Sequence, residues 1–579
     1  MSTPLQKLES AFRTAILNAT GVAGEPFVAA AGSPQHADYQ CNAAMGLSKQ
    51  FSATGVKSNP RQIAEQLKLA VTPLLEGVAS EISVAGPGFI NVRLAPAFVA
   101  EGVEQVLSGG RLGVERAATP LRVVVDYCGV NAAKEMHVGH LRSTIIGDAI
   151  CNVLEFLGHT VIRQNHVGDW GTQFGMLVAH LKSIPGGESA AIKDLEGFYR
   201  EAKRKFDADP AFADLSRKMV VTLQSGDAES KELWTKILDA TRDHYEGVCR
   251  RLGVKLTRAD ERGESSYNAD LATVVAELRA KGLAKDSDGA VAVFIDGEGK
   301  SPLIVEKSGG GYLYGTTDLA AVRYRAAPLP GGLNADRALY FVDQRQSQHF
   351  GQVFRTAAAA GWTGHAEFEH AGFGTMMGAD GKPFKTRTGD VVKLADLLDE
   401  AGDRAMAVVR EKNADFSEAV QKDIARMVGL GAIKYADLSK DRVSDYAFEW
   451  ERMLSMQGNT APYLQYAYAR IRSIFRKSGV DTTAMTGRIV LVEPSELALG
   501  KHLLRFGEVL DVVARELKPH HLCTYLYDLA GKFSGFYEAC PVLQAEETVR
   551  ASRLRLADAT ARTLREGLGL LGIECPEQM

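Results

Sequence analysis

No long apolar run interrupts the 579 residues of this chain. None approaches the roughly 20 residues that a membrane span requires, so no membrane partner is expected. Cysteine is sparse. The seven present are scattered without a CxxC pair, which argues for reduced thiols and against structural zinc. The opening residues, MSTPLQKLESAF, lack the basic stretch and apolar block of a secretory signal, and a cytoplasmic location is expected. A strong charge of one sign is missing too. A net charge of −4 does not advertise a nucleic-acid binder, and no DNA partner is expected. Any RNA partner has to meet local basic patches.

What is present is a globular composition, 45% apolar and 24% charged, on a chain too long for one core. Three or more domains are therefore expected. The stretch from Val123 to Ala149 carries the first chemical signal. Val123, Val124 and Val125 form an unbroken apolar run, as in a strand buried on both faces. Small and polar residues follow from Cys128 to Met136. His137-Val138-Gly139-His140 then opens a helix with apolar Leu141, Ile145 and Ile146. A helix start has free N–H groups and a positive dipole end, so it attracts phosphate. His137 and His140, three apart, lie on one face. Taken alone they fit a solvated helix start, a metal pair or two donors to phosphate. No HExxH and no nearby cysteine favours the metal. Gly139, without a Cβ, leaves room for a flat base against the backbone.

The full string Asn131-x-x-Lys134-x-x-His137-x-Gly139-His140-Leu141-Arg142-Ser143 resembles the ATP-binding signature of class I aminoacyl-tRNA synthetases, and the arginyl-tRNA synthetases in particular. From about 115 to 400, strands alternate with helices, the pattern of a parallel, Rossmann-like α/β sheet. Strands are expected at 121–127, Thr160 to Arg163, Leu303 to Val305, Ala338 to Val342 and Phe368 to Ala371, with a helix at 138–157. A helical stretch from Ala190 to Leu252 breaks the alternation, and an insertion is expected around 175–300. Ligands in such sheets sit at the carboxyl ends of the strands. Gly299-Lys300-Ser301 ends like a P-loop, but Phe294 stands where its first glycine belongs.

A second motif runs from Gly378 to Arg387. Glycines flank Lys382, Lys385 and Arg387, and such cations can meet a triphosphate as charge moves. By itself this is also how a basic surface hairpin reads. It resembles the KMSK loop of the family, here written KPFKTR, and the resemblance implies that Lys134 shares its role. The same resemblance marks an arginine pocket: Glu264 after an expected strand at Val254 to Thr257, Tyr314 and Asp318 at a helix start, and Gln346 and His349 after the strand ending at Val342. Asn131 would hold the substrate backbone. A guanidinium has five donors in a plane and selects carboxylates in a forked geometry. Each acid alone also fits a surface or helix-start position.

Residues 1–112 read as a small α+β domain. Leu5 to Leu17 is amphipathic, Ser58-Asn59-Pro60 starts a helix, and Ile82 to Leu94 reads as two strands around Gly86-Pro87-Gly88. ADYQCNAAMGLSKQ and PGFINVRL are similar to the family's N-terminal accessory domain, which contacts tRNA. Residues 401–579 read as almost entirely helical. Gln457 to Tyr466 resembles the entry to the family's anticodon-binding bundle. Arg470, Arg472, Arg476 and Lys477 lie near Tyr463, Tyr466 and Tyr468, an arrangement that suits unstacked bases as well as an ordinary bundle.

The resemblance implies an arginine–tRNA ligase working as a monomer on L-arginine, ATP and tRNA(Arg). It implies catalytic roles for His137, His140, Lys134, Lys382 and Lys385. It implies ATP contacts from His137, Gly139, His140 and Lys385, and arginine contacts from Asn131, Glu264, Tyr314, Asp318 and Gln346. Tyr463 and Arg470 would touch tRNA. Mg²⁺ is expected with ATP, without a dedicated carboxylate cage or structural metal. Two other readings stay open: a different nucleotidyltransferase using His-x-Gly-His, and a tRNA-binding paralogue without catalysis.

Overall fold

The computed structural model describes residues 3–33, 35–53, 59–184, 192–308, 310–378, 380–382, 384, 392–482 and 485–579. At the N-terminus Thr3 and Gln6 form a reciprocal cap for helix Pro4–Thr20. Asn59 caps helix Pro60–Val71. Both pack on an antiparallel sheet whose strands run in the order Val28–Ala30, Tyr39–Cys41, Phe89–Leu94, Ala79–Ala85. Phe12, Leu67, Ile90 and Val92 close its core.

Four parallel strands form the central sheet, in the order Glu367–His370, Arg337–Tyr340, Arg122–Asp126, Thr160–Gln164. Val124 sits between Ala338 and Ile162 in the register. Strand order reverses between Arg122–Asp126 and Arg337–Tyr340. The two chains leaving their carboxyl ends therefore part company and open a crevice, the usual ligand position in such sheets. The histidine motif leaves one strand, and the turn Gln344–Gln346 leaves the other.

Two expectations from the sequence are corrected. Leu303–Glu306 is a strand, but it belongs to a separate antiparallel sheet with Ala290–Val293 and Ala284–Ser287. Apolar alternation shows a strand without showing its partner. Val254 to Thr257 is not a strand. The Lys255 N–H donates to Asp148 and the Thr257 N–H to Asp260, so side chains take the donors a ladder would use.

The insertion consists of helices Leu195–Ala208, Pro210–Gln224 and Ala228–Arg251. Helix Val138–Phe156 is buried along almost its whole length. It shares one hydrophobic core with the C-terminal helices, reaching Leu464, Leu510 and Leu568. Helix Leu394–Lys412 runs through residue 400, where the sequence reading drew a boundary. Arg142, 1% exposed, ties these parts together. It pairs with Asp437 at 2.9 Å and donates to the carbonyls of Ser444 and Arg442. Tyr446–Ala447 then pairs in parallel with Met376–Met377, just ahead of the lysine motif.

Candidate active site

The histidines start their helix by capping it. His137 Nδ1 accepts from the Gly139 N–H at 3.0 Å, and His140 Nδ1 accepts from the His137 N–H at 3.1 Å. The rings stand 4.1 Å apart. An imidazole that accepts at Nδ1 carries its proton at Nε2, so each ring has one N–H left to donate. Burial holds both imidazoles below the usual histidine range, with the Lys134 charge adding to it. His140 is pushed down to about 3. Both rings are therefore neutral donors at pH 7. Gly139 has a further reason to be glycine: a Cβ there would come within 2.7 Å of His137 Cε1.

Lys134 lies with Nζ 4.8 Å from the centre of the Tyr199 ring. Lys393 bridges Glu135 at 2.7 Å and Glu196 at 3.5 Å. Of the lysine motif, Lys382 is seen within a tight turn, its N–H donating to Asp380 and its carbonyl accepting from the Gly378 N–H. Lys385 and Arg387 lie outside the described residues. Where the chain is described again, it pairs with the histidine segment. The Val138 N–H donates to the Val392 carbonyl, and the Leu394 N–H to that of Met136. Residues 392–394 are thus joined to the histidine segment.

Across the crevice, Glu264, Tyr314, Asp318 and His349 converge. His349 Nε2 is 2.6 Å from Asp318 Oδ2, and its ring centre is 4.8 Å from that of Tyr314. Tyr314 is 62% exposed, so a face of its ring is open to a ligand. Burial pushes the Glu264 carboxyl up to about 8, and the charges of Asp318 and Asp169 push the same way. The charge of Asp318 thus reaches Glu264, and a bound cation would favour the ionised form of Glu264. Gln346 stands exposed at the end of its turn. Asn131 bridges to Gly168, where a Cβ would fall 2.5 Å from Asn131 Oδ1.

Asp169 is the pocket residue that sequence reasoning missed. It is 2% exposed and accepts from the Ser265 N–H at 2.8 Å and hydroxyl at 2.6 Å, which fixes the backbone beside Glu264. A Cβ on Gly263 would collide with it at 2.2 Å. Its only sequence signal is its place after the strand Thr160–Gln164. In the C-terminal helices, the Tyr463 ring packs at a tilt against that of Tyr527, centres 5.6 Å apart, and Arg470 lies 5.1 Å from the Tyr537 ring centre. Part of the expected basic cluster is taken up internally: Arg472 pairs with Glu577 and Arg476 donates to the Glu577 carbonyl.

Three family models match the chain. They are described as "tRNA synthetases class I (R), catalytic domain" over residues 102–450, "DALR anticodon binding domain" over 464–579 and "Arginyl tRNA synthetase N terminal domain" over 6–94. The chain is 54% identical over 553 residues to the arginine–tRNA ligase of Cellvibrio japonicus, covering 94% of each. It is 52% identical over 585 residues to that of Laribacter hongkongensis, covering 100% of each. Among solved structures, the arginyl-tRNA synthetase of Plasmodium falciparum superposes with a TM-score of 0.86 at 30% identity and 100% coverage of both chains. That of Thermus thermophilus gives 0.81 at 28% identity, covering 99% of this chain and 100% of its own.

Proposed function

The chain belongs to the arginyl-tRNA synthetases, the class I enzymes that ligate arginine to tRNA(Arg) with ATP, and on that premise we infer how its own residues divide the work. In the first step an arginine carboxylate oxygen attacks the α-phosphorus, forming arginyl-adenylate and releasing pyrophosphate. The terminal ribose of tRNA then takes the arginyl group and AMP leaves. The Nε2–H groups of His137 and His140 donate to ATP phosphate oxygens, and the open edge of Gly139 receives the adenine. Lys134, Lys382 and Lys385 meet the charge that grows on the departing pyrophosphate. Catalysis of this kind is positioning plus electrostatic stabilisation. Among the described residues, no three metal-ligating side chains converge. We assign Mg²⁺ to the ATP substrate.

Glu264 and Asp318 receive the arginine guanidinium, with Tyr314 on its plane, while Asn131 and Gln346 hold the rest of the amino acid. The observation that carries this reading is the charge of Asp318 acting on the buried Glu264 carboxyl beside an open aromatic face. It has a measurable consequence. The Glu264 carboxyl is raised to about 8, so it is protonated at pH 7 when the pocket is empty. A guanidinium favours the ionised form, so arginine binding should expel a proton. Calorimetry in buffers of different ionisation enthalpy should register proton release at pH 7 that fades above pH 8. No proton exchange between pH 6 and 8 would refute the pairing. The sign for stability follows. A raised carboxyl favours folding below its unfolded value of about 4.3, and that support is lost as pH rises through 8. Glu264→Gln should therefore melt higher than the parent at pH 8.5, and by less at pH 5.

We further propose that residues 1–112 contact tRNA, that 115–400 hold the chemistry, and that 401–579 bind the anticodon through Tyr463 and Arg470. The enzyme would act as a cytoplasmic monomer, with no DNA or membrane partner. Among the described residues no helix is long and apolar enough to cross a membrane. Affinity for tRNA should fall steeply with salt, because phosphate contacts release counterions. Filter binding from low to high salt tests this, and a flat profile would count against the basic contacts. Arginine-dependent pyrophosphate exchange is expected only with cognate tRNA present, and robust exchange without RNA would contradict that.

A further inference from the structure

We propose that the insertion helix Leu195–Ala208 is a receiving surface for the RNA phosphate backbone beside the adenylation site, and that Tyr199 transmits its occupancy to Lys134. This rests on the reading that Lys134 works on ATP. The helix starts at Asp194, whose side chain accepts from the Gly197 N–H, and it buries Leu195, Phe198 and Ala202. Its acids are already partnered: Glu196 with Lys393, Glu201 with Lys205 and Asp207 with Lys203. Arg200 and Arg204 are exposed, and among the described residues neither has an acid within salt-bridge distance. They stand four apart on one face, where like charges repel and weaken a helix. A local structure that keeps two unpaired guanidiniums side by side is poised for an anion. They line a concavity of about 520 Å³ with Tyr199, Lys203, Asp207 and Ala208.

Tyr199 belongs to both places. It lines that concavity, and Lys134 Nζ sits 4.8 Å from the centre of its ring. The start of the helix is tacked to the histidine segment through the Glu196–Lys393–Glu135 chain. A phosphate on Arg200 and Arg204 removes their repulsion and firms the turn that carries Tyr199. The ring then holds Lys134 in place for ATP. Binding couplings are reciprocal, so ATP should tighten RNA binding by the same factor that RNA tightens ATP. Planar guanidiniums suit a phosphate backbone, and duplex RNA is met largely through its phosphates and 2′-hydroxyls.

The test uses the full-length enzyme with tRNA(Arg). In R200Q/R204Q, the plot of log affinity against log salt should become shallower by about 2, one contact per arginine. An unchanged slope overturns the surface. Tyr199→Leu should lower kcat/KM for ATP in charging by about two- to fivefold, as expected for a cation over a partly exposed ring. The KM for arginine should not move, and Tyr199→Phe, which keeps the ring, should behave as the parent. Equal losses in the Leu and Phe variants, or a matching rise in the KM for arginine, overturn the role of the ring. The underlying reading fails separately: if Lys134→Ala adenylates normally, the ATP assignment is wrong, while the salt slope still judges the surface.

Discussion

Asp318→Asn is expected to raise the Michaelis constant for arginine about thirtyfold or more while leaving that for ATP close to the parent value. The substitution keeps size and shape and removes the charge. The amide oxygen it introduces would still accept from His349 Nε2, which lies 2.6 Å from Asp318 Oδ2, so the local scaffold has reason to persist. What is lost is one of the two carboxylates proposed to face the guanidinium. Truncating one partner of a buried, hydrogen-bonded charge pair costs roughly 2–5 kcal/mol, part of it because the other charge is left unpaired. Discrimination should narrow against citrulline, which has the shape without the charge. Lysine has the charge without the fork and should stay excluded. Glu264→Gln should follow the same direction. Steady-state charging with the three amino acids separates these outcomes. An Asp318→Asn enzyme that charges arginine at parental efficiency would reduce Asp318 to a helix-start acid.

Replacing either histidine by alanine is expected to lower adenylate formation by about 3–4 kcal/mol of barrier, the usual effect of removing a donor aimed at developing charge. Alanine also removes a cap, since His137 Nδ1 holds the Gly139 N–H, and a lost cap costs about 0.5–2 kcal/mol of stability. His137→Asn separates the two effects. Asparagine is a good cap residue but has no Nε2–H for the proposed phosphate contact, so the variant should melt like the parent and adenylate poorly. Protonation gives an independent check. Both imidazoles are held below the usual range, and His140 at about 3. Adenylation should show no step from these rings near pH 6.5. The stability their neutrality contributes is present above pH 6.5 and is lost as pH falls toward 3. Near-normal turnover by the double alanine variant would end the phosphate role.

The histidine motif was legible because its signals are local. A buried valine strand, small loop residues and a helix start follow one another in sequence, and the structure keeps them in that order. The Asn59-Pro60 helix start was legible for the same reason. What escaped depends on distant partners. Leu303–Glu306 reads as a strand, but only packing decides which sheet accepts it. Residues 254–257 lose their strand because the Lys255 and Thr257 N–H groups donate to Asp148 and Asp260. Asp169 shapes the pocket through Ser265, almost a hundred residues later, so nothing near it in sequence marks it. Arg142 looks like an ordinary residue of the histidine motif. Its meeting with Asp437, Arg442 and Ser444 shows that the histidine helix is seated on the C-terminal helices.

The central claim is that this chain selects arginine with Glu264 and Asp318 and joins it to tRNA. The most direct measurement is charging of total tRNA by the parent enzyme and by Asp318→Asn, with each of the twenty amino acids labelled in turn. Product is expected with arginine alone for the parent. For the variant, a sharp loss of arginine product is expected at limiting arginine, with recovery as arginine is raised. Product with another amino acid for the parent, or a variant indistinguishable from it at limiting arginine, would contradict the account.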